Sequence, residues 1–163
     1  YSLLHGTMLD TPRPLIPGFH ATAHDGSPRD VADLMGHPTV IWFFPAANTG
    51  GCTVEGCGYR DLHAEFAALG VDIVGVSFTD LATNQEWAKR LAFPYEIWRD
   101  DERTLATYYQ AVDGPDTKYP KRRTRVLNAE GKVLLEYNDK IIVGAHPADV
   151  LDDVRMLHAA GKL

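Results

Sequence analysis

Two cysteines, Cys52 and Cys57, are the residues of this 163-residue chain best suited to chemistry. They lie in a glycine-rich run, residues 45–57, between an apolar stretch that predicts a buried strand and a stretch with helical periodicity. Catalytic groups gather at such junctions in open α/β sheets. Gly50 and Gly51 let the backbone turn sharply, so Cys52 should fall in the first helical turn, where unpaired N–H groups and the helix dipole stabilise an anion. Cys52 is therefore predicted to react as a thiolate.

The five-residue spacing of the cysteines has a mechanical consequence. In a regular helix it corresponds to a Cα–Cα distance on the order of 8–9 Å, beyond the ~7 Å reach of a disulfide. If a disulfide forms between them, the start of the helix must therefore unwind locally. Gly56 and Gly58 flank Cys57 and lower the cost of unwinding. The reduced and oxidised forms are thus predicted to differ over residues 50–60.

Other interpretations of these glycines and cysteines do not fit. A phosphate loop requires Lys and Ser or Thr where Cys57 and Gly58 stand, and a dinucleotide fingerprint requires a third glycine where Asp61 stands. A zinc site needs about four ligands, whereas the two cysteines and His63 supply three at most. The spacing also differs from the two-residue gap of a thioredoxin-type pair. We therefore expect no cofactor and no metal.

The elements that must position the cysteines alternate between strands and helices. Strands are predicted at residues 19–23, 39–44, 71–78, 96–98, 122–127 and 132–137, and helices at 29–35, 59–69, 83–92, 102–109 and from 147 onward. Thr83 to Glu86 has the spacing of a capping box, and residues 1–18 are predicted to form an irregular lead-in. The pattern predicts an α/β fold, a three-layer sandwich with a mixed central β-sheet, in a single domain over residues 1–163.

Charge and hydropathy exclude several classes of partner. Sixteen basic and twenty-two acidic residues give a net charge of −6 and a pI of about 5.6, which disfavours a nucleic-acid partner. The longest apolar stretch, residues 40–44, is far shorter than the ~18–20 residues that cross a membrane. No secretory signal is visible at the start of the sequence. We therefore expect no membrane partner and a cytoplasmic location.

The residues around the cysteines resemble the peroxiredoxins, in particular the Q-type or bacterioferritin-comigratory subfamily. The resemblance extends from about Phe19 through the last helix. Its core is the motif Phe43-Phe44-Pro45-x-x-x-Thr49-x-x-Cys52-x-x-Glu55-x-Cys57-x-Tyr59-Arg60-Asp61. The resemblance implies a thioredoxin-like fold and a thiol-dependent peroxidase that reduces hydrogen peroxide and small organic hydroperoxides.

The resemblance also implies a role for each matching residue. Cys52 matches the peroxidatic cysteine and Cys57 the resolving cysteine. Thr49 matches the hydroxyl that contacts peroxide, and Pro45 the residue that shields the site from water. Arg122 matches the activating arginine, by its distance from the glycine of the following hairpin.

The implied cycle begins with a sulfenic acid on Cys52. An intramolecular disulfide with Cys57 follows, and thioredoxin or a similar dithiol restores both thiols. The resemblance further implies a monomer. The rival hypothesis is a thioredoxin-fold redox sensor or binding module with little turnover.

Two arginines near Arg122 complicate the choice of activating residue. Strand alternation directs Arg123 and Arg125 to the opposite face, where both are expected to form a solvated basic edge. A one-residue slip of the register would exchange the faces. Gly50 and Arg125 also depart from the family pattern, which often has proline and usually an aromatic residue at these positions.

Two further residues near the site are assigned from their local context. Glu55 has two interpretations, as a residue that orients the arginine or as a first-turn acid that suits the helix dipole. His146 precedes Pro147 at a helix start and is expected to cap that helix. The three tryptophans are expected to be core aromatics.

Overall fold

The computed structural model describes residues 3–163, so the first two residues of the predicted lead-in lie outside the described part. The strands are β1 (Thr7–Arg13), β2 (Ala21–Ala23), β3 (Pro28–Arg29), β4 (Thr39–Phe43), β5 (Asp72–Ser77), β6 (Glu96–Asp100), β7 (Arg123–Leu127) and β8 (Val133–Tyr137). The α-helices are α1 (Gly50–Ala68), α2 (Leu81–Arg90), α3 (Thr104–Tyr108) and α4 (His146–Ala159). A 3-10 helix spans Val31–Leu34.

The strands form one mixed sheet in the order β1-β8-β7-β4-β5-β6-β2-β3. Strands β4, β5 and β6 are parallel to one another, and the other pairs are antiparallel. This confirms the predicted α/β fold with a mixed central sheet. The turn between β7 and β8 is the predicted hairpin turn, closed by Gly131, whose positive φ of 77° suits glycine.

Strand β4 is buried on both faces, as its uninterrupted apolar sequence predicts. Val40, Trp42 and Phe44 pack into the apolar cluster that contains α1, α2 and α4. Ile41 and Phe43 pack into the cluster on the other face. All three tryptophans are buried, which confirms that they belong to the core.

The predicted irregular lead-in is wrong over Thr7–Arg13, which forms β1 and pairs with β8, whereas residues 3–6 and 14–18 are irregular as predicted. The strand lies at the edge of the sheet and is mostly exposed, so its sequence carries little apolar alternation. Pro12 is tolerated there because an edge strand leaves half of its N–H groups unpaired by neighbours.

Helix α1 begins at Gly50, which confirms the prediction that Cys52 lies in the first helical turn. Two other predicted helix starts differ from the structure. The N-cap of α2 is Asp80, whose carboxylate accepts a hydrogen bond from the Thr83 N–H at 3.0 Å, so the capping box at Thr83 is wrong. The helix predicted at residues 29–35 is the shorter 3-10 helix.

Helix α1 lies against α4 at a point where glycine is required. A Cβ atom on Gly58 would lie 2.7 Å from Pro147 Cγ, in the first turn of α4. The glycine therefore serves close packing of the two helices, in addition to any effect on unwinding. None of the helices in the described part of the chain is long and apolar enough to cross a bilayer.

Candidate active site

Cys52 occupies the first turn of α1 and is 1% exposed. The first backbone hydrogen bond of this turn runs from the Thr53 N–H to the Thr49 carbonyl at 2.9 Å. The N–H groups of Gly50, Gly51 and Cys52 therefore have no acceptor inside the helix, as at any helix start. These groups and the helix dipole favour negative charge on the Cys52 sulfur.

The loop before α1 is held by polar contacts. Pro45 is half-buried and follows the end of β4. Asn48 adopts a left-handed conformation with φ 62°, and its side-chain oxygen accepts a hydrogen bond from Arg90 Nη2 at 2.5 Å. Thr49 is exposed, and its hydroxyl donates to the Ala46 carbonyl at 2.7 Å rather than capping the helix. The Thr49 oxygen can still accept a hydrogen bond from a substrate.

Arg122 connects Cys52 with Glu55. Its Nη2 lies 3.5 Å from Cys52 Sγ, and its Nη1 donates to Glu55 Oε1 at 2.7 Å. Gly51 leaves the room for this approach, because a Cβ atom there would lie 3.3 Å from Arg122 Nη2. Of the two interpretations of Glu55, the structure supports the one in which it orients the arginine.

Glu55 and Arg122 are buried to different extents, and this difference affects the pKa of each side chain. Glu55 is fully buried, which raises the pKa of its carboxyl to about 7 although Arg122 opposes the shift. Glu55 Oε2 has no hydrogen-bond partner among the described residues, so Arg122 alone offsets the burial of the carboxylate. Burial lowers the pKa of Arg122, but the hydrogen bond to Glu55 and the charges of Glu55 and Cys52 outweigh it, so the pKa is raised overall. The guanidinium therefore stays cationic beside the sulfur.

Thr124 and His146 form a buried pair on the same side of the sheet as Arg122. Thr124 Oγ1 lies 2.8 Å from His146 Nε2. Burial, and then the charge of Arg122, lowers the pKa of His146 to about 4, so the ring is neutral at pH 7. The prediction that His146 caps α4 is wrong, because the N-cap is Ala145 and has no side-chain cap. Strand alternation from Arg122 could have indicated Thr124, but no sequence signal indicated His146.

The expectation of a solvated basic edge is wrong for Arg125. Its side chain is fully buried on the other face of the sheet and donates to the Tyr109 carbonyl through Nε and Nη2, at 3.1 and 2.8 Å. Arg123 is half-buried and donates to the Arg122 carbonyl at 3.0 Å. Neither residue contacts Cys52 in the structure.

Both cysteines are free thiols. Because they are five residues apart on α1, their side chains leave the helix in directions about 140° apart, which places them on different sides of it. Cys57 is half-buried and packs against the apolar cluster that contains Trp42 and Phe93. The structure therefore brings Arg122 and Glu55 to Cys52 at the start of α1, which directly follows the loop that carries Pro45 and Thr49. Cys57 lies five residues further along the helix.

Within residues 3–163, one group of three side chains has ligand atoms close enough to share an ion: His5, Asp149 and Asp152. It contains neither cysteine. The Cys52 site itself offers one thiol, one carboxylate already bound to Arg122 and no unpaired histidine, a poor donor set for zinc.

The geometry agrees with the comparison with known proteins. The AhpC/TSA family model matches residues 13–135. This chain belongs to the AhpC/TSA family. Among its curated relatives in that family are chloroplastic proteins named peroxiredoxin Q from Gentiana triflora and Populus jackii, each 29% identical over 135 residues and 83% of this chain. This chain spans 62% of the length of the first relative and 63% of the length of the second.

Solved structures show that this chain also shares the fold of known proteins. Peroxidoxin BcpB from Mycobacterium tuberculosis is 30% identical, with a TM-score of 0.80 over 90% of this chain and 97% of that one. The bacterioferritin comigratory protein of Xanthomonas campestris is 23% identical, with a TM-score of 0.77 over 96% and 98% of the two chains. These results confirm the thioredoxin-like fold and the resemblance to Q-type peroxiredoxins.

Proposed function

We propose that this chain is a thiol-dependent peroxidase that reduces hydrogen peroxide and small organic hydroperoxides. The observation that carries the proposal is the 3.5 Å approach of Arg122 Nη2 to Cys52 Sγ at the start of α1. A guanidinium and unpaired N–H groups around one buried sulfur are what a thiolate nucleophile requires. The curated relatives named peroxiredoxin support peroxide as the substrate class.

The first step is attack of the Cys52 thiolate on the terminal oxygen of the peroxide. A sulfur–oxygen bond forms, the O–O bond breaks, and the sulfur loses two electrons to become a sulfenic acid. The leaving alkoxide or hydroxide takes a proton and departs as alcohol or water. Arg122 and the N–H groups of the first turn stabilise the charge that develops on the peroxide oxygens. Thr49 accepts a hydrogen bond from the peroxide, and Pro45 shields the sulfur from water.

The second step involves Cys57 as the resolving cysteine. Its thiol attacks the sulfenic sulfur, a Cys52–Cys57 disulfide forms, and water leaves. Because the two residues lie on different sides of α1, this step requires the first turns of the helix to open. Thioredoxin or a similar dithiol then reduces the disulfide by thiol exchange.

The proposed setting is the cytoplasm, where the chain acts as a monomer. The cycle needs a pool of reduced dithiol, and such pools keep cytoplasmic thiols reduced.

Rapid mixing with less than one equivalent of peroxide tests the proposal. Wild type should lose two thiols per peroxide and regain them when thioredoxin and its reductase are added. Cys52→Ser should not react, and Cys57→Ser should stop at the sulfenic acid, which mass spectrometry with a sulfenic-acid trap detects. Ser is nearly isosteric with Cys, so each variant serves as the structural control for the other.

A specific outcome would favour the rival function, a redox sensor or binding module. In that case Cys52 is oxidised slowly, and no turnover follows when thioredoxin is added. The single feature in its favour is the separation of the two cysteines on α1. Because of this separation, formation of a disulfide between them would change the conformation of the helix.

A further inference from the structure

Helix α1 presents two stripes of residues with the same spacing, each with a different set of partners. The first stripe, Cys52, Glu55 and Tyr59, faces Arg122 and His146. A second stripe, offset by one residue, consists of Thr53, Gly56 and Arg60. Positions i, i+3 and i+7 share one face of a helix, so each stripe is a separate contact line.

Each residue of the second stripe forms a hydrogen bond with one layer of the structure. This layer consists of α2 and the segment that connects α2 to β6. Trp87 Nε1 donates to Thr53 Oγ1 at 3.1 Å. The Tyr95 hydroxyl donates to the Gly56 carbonyl at 2.7 Å. Arg60 Nη1 donates to the Leu91 carbonyl, which ends α2, at 3.0 Å. Three consecutive turns of α1, from the turn of Cys52 past Cys57, are thus fixed to the same layer.

The middle contact has the tightest fit. A Cβ atom on Gly56 would lie 2.9 Å from Phe93 Cζ, 3.2 Å from Trp42 Cη2 and 3.3 Å from the Tyr95 oxygen. The Tyr95 ring is 6% exposed and stacks on Phe93 with ring centroids 5.1 Å apart. Gly56 therefore lies in a closed aromatic socket, and its carbonyl receives a bond from a side chain that has little freedom to move.

We propose that the hydrogen bond from Tyr95 to Gly56 is a latch that holds α1 in the peroxide-reactive form and sets how often Cys57 is released towards Cys52. The bond joins the layer to the residue directly before Cys57, so the helix cannot unwind between the two cysteines until it breaks. The role in resolution rests on the proposed disulfide cycle. Tyr95 acts through the backbone of α1 and is a positioning residue.

The surroundings of Tyr95 favour a permanent donor. Burial raises the pKa of Tyr95 well above its ordinary value, and the charges of Tyr59, Glu55 and Cys57 add to the shift while that of Arg60 opposes it. The hydroxyl therefore keeps its proton across the working range of pH. Loss of the bond requires movement of the helix rather than ionisation of the donor.

The substitution Tyr95→Phe removes the hydroxyl and keeps the ring in the socket. Gly56 O retains its helical acceptor role, so no buried group is left unpaired. A single neutral hydrogen bond corresponds to a change of about two- to tenfold in the opening equilibrium. Amide hydrogen exchange by NMR should therefore show protection of the residues around Cys57 reduced by that factor, with the β4 and β5 amides unchanged.

Tyr108→Phe is the matched control, because its hydroxyl donates to the Pro14 carbonyl at 2.6 Å and its ring packs against the apolar cluster on the other face of the sheet from α1. It should leave exchange in α1 unaltered. Equal protection of α1 in wild type and Tyr95→Phe would overturn the latch. This arm uses no peroxide, so it decides the latch even if the disulfide cycle is absent.

A kinetic arm tests the link to chemistry. In Tyr95→Phe the conversion of sulfenic acid to disulfide should be faster by the same two- to tenfold. The first reaction with peroxide should be unchanged, because the contacts of Cys52 are untouched and α1 is closed most of the time in both proteins. Sulfinic acid at high peroxide should decrease in proportion. A merely destabilised variant would change both steps. If α1 opens more often but disulfide formation keeps its wild-type rate, the role in resolution is wrong; if wild type forms no disulfide, the proposed function fails instead.

Discussion

Two arginine–glutamate pairs lie on opposite faces of the sheet at β7, and only one of them contacts the reactive cysteine. Arg122, directly before the strand, donates to Glu55 and keeps its Nη2 beside Cys52 Sγ. Arg125 lies within the strand on the other face, where Nε is 3.4 Å from Glu136 Oε2. All three of its guanidinium nitrogens donate to main-chain carbonyls, with two bonds to Tyr109, one to Thr124 and one to Tyr137. Arg122 therefore presents a guanidinium nitrogen to the reactive sulfur, whereas every nitrogen of Arg125 is engaged by the main chain.

The difference in burial has an electrostatic counterpart. Burial lowers the pKa of Arg125 to about 10, because the charge of Glu136 only partly opposes it and the charges of Arg123 and Arg13 add to the shift. The pKa of Arg122 is raised, since Glu55 and Cys52 outweigh its partial burial. Residue type alone thus does not separate a functional arginine from a structural one. The side of the strand and the acceptors found there make the distinction.

Arg122→Met should have the largest effect on activity. It removes the charged donor beside Cys52, so the rate of Cys52 oxidation by hydrogen peroxide should fall about a hundredfold, the usual cost of losing a charge-stabilising donor. Unfolding in urea should change little, because Glu55 becomes neutral when its partner is lost. Stopped-flow fluorescence measures the rate, and a rate within threefold of wild type would contradict the role of Arg122.

Arg125→Met should show the reverse pattern. It removes hydrogen bonds to three main-chain carbonyls, those of Tyr109, Thr124 and Tyr137, while Glu136 keeps Arg13 at 3.2 Å as a partner. The free energy of unfolding should fall by about 3 kcal/mol, with the oxidation rate of the folded protein within twofold of wild type. Arg123→Met, at a half-buried position on the same strand, is the control and should cost less than about 1 kcal/mol.

Glu55→Gln should change how stability depends on pH. Between pH 4.5 and about 7 the folded state holds a proton on Glu55 that the unfolded state has lost, so wild-type stability falls as pH rises through this range. Gln does not titrate, so the variant should gain on the order of 2 kcal/mol relative to wild type between pH 5 and 8. Urea unfolding at both pH values measures the difference.

The comparison with wild type isolates Glu55 in this experiment. His146 has the opposite dependence, because its lowered pKa makes stability fall as pH drops from 6.5 towards 4. That contribution is common to both proteins and cancels. Parallel pH profiles for wild type and variant would show that Glu55 is not a strained, proton-binding carboxyl.

Gly51→Ala should have the smallest effect. The new Cβ would lie 3.3 Å from Arg122 Nη2 and displace it by a few tenths of an ångström, so the oxidation rate should fall about threefold. Gly50→Ala is matched, in the same helical turn, with open space around the added atom. Equal rates for both variants would mean that the exact position of the guanidinium does not matter.

Much of the fold and the position of Cys52 could be predicted because their signals are local. The apolar run of β4, the glycines before α1 and the hairpin at Gly131 each specify backbone geometry over a few residues. Alternation along a strand also separated Arg122 from its neighbours.

What could not be predicted depends on partners distant in the chain. Strand β1 has no apolar pattern of its own and is ordered by β8. The sequence predicts that Arg125 is exposed to solvent. In the structure it is buried, and its guanidinium donates to the Tyr109 carbonyl at the end of α3 instead of to water. His146 is brought beside Thr124 by the packing of α4 on α1, which no local signal announces.

The central claim is that the Cys52 sulfur is an anion held by Arg122 and the start of α1. Titration of the Cys57→Ser variant by thiolate absorbance measures this directly, since Cys52 is then the sole cysteine. The thiolate absorbance of Cys52 at pH 7 should fall several-fold when Arg122→Met is added, because the cation that faces the sulfur is lost. An absorbance that is the same with and without Arg122 would contradict the account.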